Sequence, residues 1–483
     1  MKIIKLLFTI TAIHILVLAG PPTFPQVDAP EEESFLLLAG NKITADGSVV
    51  VAHNKGLKDD KTAFLEKYPR RQYDSADVIR LQNGLEIPQT DISMAWLSLQ
   101  TKNGLLQGDA VAINENQVSI AGTVTLEADR NTKARKADPL VPGGVTGRIF
   151  YIALERSKTA RECVSLIGKF YNRYGIAQAK GIAVADQNEV WYMESGGGHH
   201  WAAVKIPENA IWPQANGYRI GHIEPNNEDV MASPGLADFA RNNDLWDPEE
   251  QLFNFADAFG QKDRKADNKG KSGHLKIWRA MRLLDSTLSI TPGQQTYPQF
   301  VRPDEKVDLH RIISILRDRP VNASFDTLNN DTLVKAMAPI ASRNTVHTGM
   351  VQLTRGLPST VGAVLWAGFS SPLTTPYIPF YFGINTPLKP YSAKASEPEK
   401  ASQVYQALSG RYHQDPEKLR EKFPDVWKEF QTKCFTEQVH IDRGAMRVHR
   451  INSPMARQFL TTNVDELSQD ALDIARKILE EIK

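Results

Sequence analysis

An α+β fold is predicted by three features of this sequence. Apolar runs of strand length come in pairs separated by turn residues, helical spacing is confined to separate stretches, and the two do not alternate regularly. Clustered strands and helices build mixed sheets covered by helices, whereas strict strand-helix alternation would build a doubly wound fold. The 483 residues are 41% hydrophobic and 23% charged, enough apolar material for a large core. Lys and Arg total 57 against 56 for Asp and Glu, so no long-range field favours polyanions, and a nucleic-acid role has no support.

Residues 1–19 stand apart: Lys2 and Lys5 precede the apolar run Leu6–Leu18, and Val17-Leu18-Ala19 suits signal peptidase. They read as a secretory signal rather than the alternative of a retained anchor helix, because the run is short for a bilayer span and His14 interrupts it, and this implies a periplasmic or extracellular protein with no lasting membrane partner once the signal is removed. Residues 20–33 are rich in proline and acid and end in Pro30-Glu31-Glu32-Glu33, the composition of a linker or propeptide. Phe35–Ala39 is then a continuous apolar run, Asp46-Gly47 a turn signal, and Val49–Ala52 apolar again, which predicts a buried hairpin.

Ala110–Ile113 and Val118–Val124, either side of Asn114-Glu115-Asn116, predict a second hairpin, and Ile182–Val184 with Val190–Met193 a third. Arg156–Tyr174 carries Ala160, Val164, Ile167 and Phe170 at helical spacing. Arg130–Lys136 and Lys262–Gly273 are charged and read as solvated loops. The last ninety or so residues are mostly helical in pattern, for example Val464–Ile482. The expected organisation is therefore a signal at 1–19, a linker at 20–33, a catalytic domain at 34–395 and a helical extension at 396–483 packed on it.

Cys163 and Cys434 are the only cysteines. Cys163 lies in the helical stretch and reads as a small buried residue. No His, Cys, Asp or Glu set has the spacing of a zinc site, so no metal is expected. Ser34 is the chemical candidate. A serine at the exposed end of a buried strand, preceded by an acidic flexible segment, suits a nucleophile that cleavage turns into residue one, so that its own α-amine acts as base.

The stretch Ser34-Phe35-Leu36-Leu37-Leu38-Ala39-Gly40-Asn41-Lys42-Ile43-Thr44-Ala45-Asp46-Gly47-Ser48 resembles the opening of the dipeptidase A family of N-terminal-nucleophile hydrolases, which includes the secernins. The likeness continues through Ala112-Ile113-Asn114-Glu115, Asp186–Glu194 and Gly198–Val204, and onward to Tyr377–Tyr381. It implies a four-layer αββα sandwich and hydrolysis of short peptides, chiefly dipeptides, without a cofactor. The family's usual nucleophile is a cysteine, and it falls on Ser34. Asn114 is the candidate oxyanion donor, with turn satisfaction as its plain alternative.

The family's second strand usually runs Ala-Arg-Asn-Glu-Asp, and here Ala52 is followed by His53-Asn54-Lys55-Gly56. His53 stands where the arginine would, and Gly56 offers no carboxylate. His53, Asn54, Glu194 and His199 are candidates for the substrate side; the last two flank the glycine run Gly196–Gly198. The expected protein is an exported dipeptidase. A non-peptide amidase of the same fold and a catalytically silent binding relative are the alternatives, and self-association into a homo-oligomer stays open.

Overall fold

The computed structural model describes residues 32–483 except 58–61, 75, 127–128, 225–226, 262–267, 293, 295, 320–338, 397–398, 416–418, 420–421 and 483. The expected signal, residues 20–31 of the linker and the first part of the Lys262–Gly273 insertion lie outside the described residues. The strands in chain order are β1 Glu32–Ala39, β2 Val49–Leu57, β3 Phe64–Tyr68, β4 Arg71–Gln72, β5 Val78–Arg80, β6 Glu86–Pro88, β7 Ile92–Ser93, β8 Trp96–Gln100 and β9 Val111–Asn114. They continue with β10 Ser119–Thr125, β11 Lys180–Ala185, β12 Val190–Ser195, β13 Trp201–Ile206, β14 Ile211–Ala215, β15 Val230–Ala232, β16 Thr345–Leu353, β17 Ala363–Gly368 and β18 Ile378–Tyr381.

The first predicted hairpin is β1 with β2, antiparallel from Glu32↔Leu57 to Ala39↔Val50. Its turn follows from the sequence: Asp46 Oδ1 accepts from the Ser48 amide, and Gly47 adopts φ +75°, which an L side chain would strain. Every residue of β2 is buried, as expected of a strand covered on both faces. The hairpin sits inside a six-stranded sheet of order β14-β1-β2-β16-β17-β18. A second sheet of eight strands runs β15-β13-β12-β11-β10-β9-β8-β3, and it contains the other two predicted hairpins. All ladders in both sheets are antiparallel.

The two sheets meet where β1 and β2 pack on β10. Gly122 of β10 has φ +61°, and a Cβ there would lie 1.8 Å from Leu36 Cδ2 and 3.3 Å from His53 Cβ. Only glycine lets the backbone of β10 come this close. Phe35–Ala39 and Val49–Ala52, from both faces of the hairpin, belong with Val111, Ala121 and Val124 to one apolar cluster, whose burial is the main stabilising term.

The helix Ala160–Tyr174 starts after Thr159, whose side chain accepts from the Glu162 amide, and its Cys163, Val164, Ile167 and Phe170 pack with Trp191 and Met193 in a second cluster. It begins four residues later than the helical spacing from Arg156 suggests, because Thr159 is the capping residue. Cys163 and Cys434 are both buried and unbridged, and burial pushes each thiol up to about 12.

Two loop expectations are corrected. Thr132–Ala137 is a short helix capped by Asn131, and Arg130 is buried, donating to the carbonyls of Gly196 and Asp138. Residues 268–273 begin the helix Asn268–Leu284, which packs against β14. At Arg130 charge was a poor guide, because a long side chain can bury its stem while its head finds carbonyls. The C-terminal region is helical: Lys422–His449 and Ser453–Glu481 pack on each other and against β18, and Ala401–Gln414 packs on Ser453–Glu481.

Candidate active site

Ser34 is the third residue of β1, paired across the ladder with Lys55 of β2. Directly opposed residues of antiparallel strands share a face, and that face is also the one from which Leu36 and His53 meet β10. Ser34 and Lys55 therefore point between the sheets. Ser34 is only 4% exposed, and the Lys55 Nζ donates to its Oγ at 3.2 Å.

An ammonium this deep requires a carboxylate, and Asp109 supplies it from the turn before β9. Lys55 Nζ lies 2.9 Å from Asp109 Oδ1, and Lys180 Nζ, from the start of β11, lies 3.1 Å from the same oxygen. Two lysines from opposite sheets thus converge on one acid. His347 of β16 completes the group, its Nδ1 3.0 Å from His53 Nε2. Desolvation, aided by the Lys55 charge, brings His347 down to about 4 and holds His53 well below the usual histidine value. Both rings are neutral near pH 7.

A stability prediction follows from the sign of that shift. The unfolded chain protonates His347 near 6.5 and the folded protein only near 4, so stability is complete above 6.5 and is lost as pH falls toward 4. The His347 share amounts to about 3 kcal/mol at the acid end. Denaturant midpoints measured from pH 7 to pH 4.5 should fall more steeply for the native sequence than for His347→Gln. Identical slopes would contradict it.

Among the sequence candidates, Ser34, His53 and Asn54 come together. Asn54 lies on the other face of β2, donates to the carbonyls of Leu316 and Ile340, and lines a crevice beside Ser34. Asn114, Glu194 and His199 have other partners. Asn114 Nδ2 donates to the carbonyls of Leu154 and Ser157, and its Oδ1 accepts from the amides of Asn116 and Val118. With both N–H groups taken, it has no donor left for an oxyanion, and the turn-satisfying alternative describes it. Glu194 accepts from the amides of Arg219 and Ile220, and His199 joins His200 around Asp138.

Sequence reasoning missed Lys55, Asp109, Lys180 and His347. Lys55 carried a signal, since a lysine in an otherwise buried strand demands a counter-charge. Asp109 and Lys180 have no local mark; only the fold joins them.

Residues 35–408 match the sequence profile of peptidase family C69. The chain belongs to that family. It is similar to a probable dipeptidase of Salmonella dublin, 28% identical over 357 residues that cover 72% of this chain and 80% of the relative. A probable dipeptidase of Latilactobacillus sakei is 28% identical over 366 residues, covering 72% and 74% respectively. A probable dipeptidase B of Lactococcus lactis is 27% identical over 371 residues, covering 74% and 76%. The C69 chain described here is thus a peptidase, a hydrolase of peptide bonds. Its cation and acid at the nucleophile candidate are Lys55 and Asp109, drawn from other positions than the arginine and aspartate that the second strand lacks. No group of three or more His, Cys, Asp or Glu among the described residues is arranged to hold a metal ion.

Proposed function

We propose that this peptidase is an exported N-terminal-nucleophile dipeptidase with a four-layer αββα core, in which cleavage of the Glu33–Ser34 bond makes Ser34 the first residue. The observation that carries the reading is the Lys55 ammonium 3.2 Å from Ser34 Oγ and 2.9 Å from its anchor on Asp109. A serine hydroxyl in a buried site next to an oriented cation is poised for attack in a way that an ordinary strand serine is not.

In the mature protein Ser34 Oγ attacks the carbonyl carbon of the dipeptide's first residue. The Ser34 amine takes the hydroxyl proton and passes it to the leaving amine, and water then hydrolyses the ester. Lys55 holds the oxygen and stabilises negative charge as it develops nearby. The names of the relatives favour dipeptides over the non-peptide amides that the same fold can serve. The Lys55–Asp109 pair weakens the case for a silent binding relative, which rested on His53 and Gly56.

Intact mass and N-terminal sequencing of the purified exported protein test the reading. A chain beginning at Ser34 is expected. Full dipeptidase activity from a chain that still carries Glu33 would refute the mechanism, because a peptide-bonded Ser34 has no amine to act as base.

A further inference from the structure

The residue ahead of the nucleophile stands where a substrate residue must later stand. When Ser34 Oγ cuts its own chain, an Oγ–C bond forms to the Glu33 carbonyl carbon and the Glu33–Ser34 C–N bond breaks. The new Ser34 amine takes the proton, and water releases Glu33 as a free carboxylate. In a dipeptide the first residue has the place of Glu33: its carbonyl carbon is attacked, and the second residue leaves as the amine. Whatever surrounds the Glu33 side chain is therefore the pocket for the first residue of the substrate.

That surrounding is specific. Glu33 Oε2 lies 3.5 Å from Lys276 Nζ, with side chains only 13% and 4% exposed. Lys276 comes from the helix Asn268–Leu284 and lines the crevice at Ser34 together with Asn54, Ser342 and Thr345. On the other side Gly56 faces Glu33 across the ladder, and a Cβ there would stand 3.2 Å from the Glu33 carbonyl oxygen and 3.3 Å from its Cβ. A buried lysine faces the space.

We propose that the enzyme selects dipeptides with an acidic first residue, glutamate before aspartate, and that Lys276 is the residue that selects them. This rests on the Ser34 reading above. A carboxylate entering after Glu33 departs meets the ammonium that the propeptide carboxylate has left, in a site where a charged hydrogen bond is shielded from water.

The test is a kcat/KM panel of Glu-Ala, Asp-Ala, Gln-Ala, Leu-Ala and Lys-Ala with the mature enzyme. Glu-Ala should exceed Gln-Ala by about 10- to 100-fold. In Lys276→Gln that ratio should collapse to near one, and Lys276→Glu should turn the order toward Lys-Ala. A second arm does not depend on those variants folding: the Glu33→Gln precursor should mature more slowly than the native one, and Glu33→Lys more slowly still. A protein that starts at Ser34 and cleaves Gln-Ala as well as Glu-Ala overturns the selectivity alone, as does a Glu preference that survives Lys276→Gln. Full activity in Ser34→Ala overturns the nucleophile assignment, and this inference with it.

Discussion

Ser34→Ala is expected to lower dipeptide hydrolysis by at least about 10³-fold and to leave residue 33 attached to the chain. One oxygen is asked to do both jobs, so both readouts should fail together. Ser34→Cys should mature and retain activity, because a thiol at the same site is the stronger nucleophile and the family's usual one. The alanine variant should stay folded, since Ser34 contributes one hydrogen bond to Lys55 and little apolar area. Mass spectrometry and a dipeptide assay on the same preparation separate the outcomes. A Ser34→Ala protein that matures normally assigns the cleavage to another agent, and one that keeps full turnover removes Ser34 from the mechanism.

Changes in the buried charge cluster should separate activity from stability. Lys55→Met leaves Asp109 with Lys180 at 3.1 Å, so the carboxylate keeps a cation and stability should fall by no more than about 2 kcal/mol. Activity should nevertheless drop by about 10²-fold or more, because the cation beside the Ser34 oxygen is gone. Asp109→Asn should do the reverse in proportion. It leaves two lysines without the carboxylate they share and should cost about 3–5 kcal/mol of stability. Denaturant unfolding with kcat/KM on the folded fraction measures both. If Lys55→Met destabilises as much as Asp109→Asn while the surviving protein turns over normally, the lysine is structural and the proposed chemistry loses its anchor.

Much of the scaffold could be read from local rules. The hairpin turn at Asp46-Gly47, the Thr159 cap and the paired apolar runs of β9–β12 each follow from neighbours in sequence. The site was legible only in part. Ser34 and His53 could be singled out because they lie on the first hairpin, but Asp109 and Lys180 are brought to Lys55 by the meeting of two sheets, which no window of sequence contains. The remaining candidates share one feature. Asn114, Glu194 and His199 were singled out for their chemistry, while their actual partners are backbone amides, carbonyls and Asp138, groups that any polar side chain near a turn will satisfy first. Arg130 erred in the opposite direction: charge suggested solvent, and carbonyls held it inside.

The position of the Glu33–Ser34 bond within β1 bears on how activity would begin. Both flanking residues are paired across the ladder, Glu33 with Gly56 and Ser34 with Lys55, and Ser34 is 4% exposed. An outside protease needs a loose, extended segment that it can draw into its own cleft, and a bond laced into a sheet does not offer one. On the proposed mechanism the cut would fall to the folded molecule itself and would obey first-order kinetics. Its half-time would then be unchanged by dilution, so each molecule would carry its own clock, set by its fold and not by the company it meets.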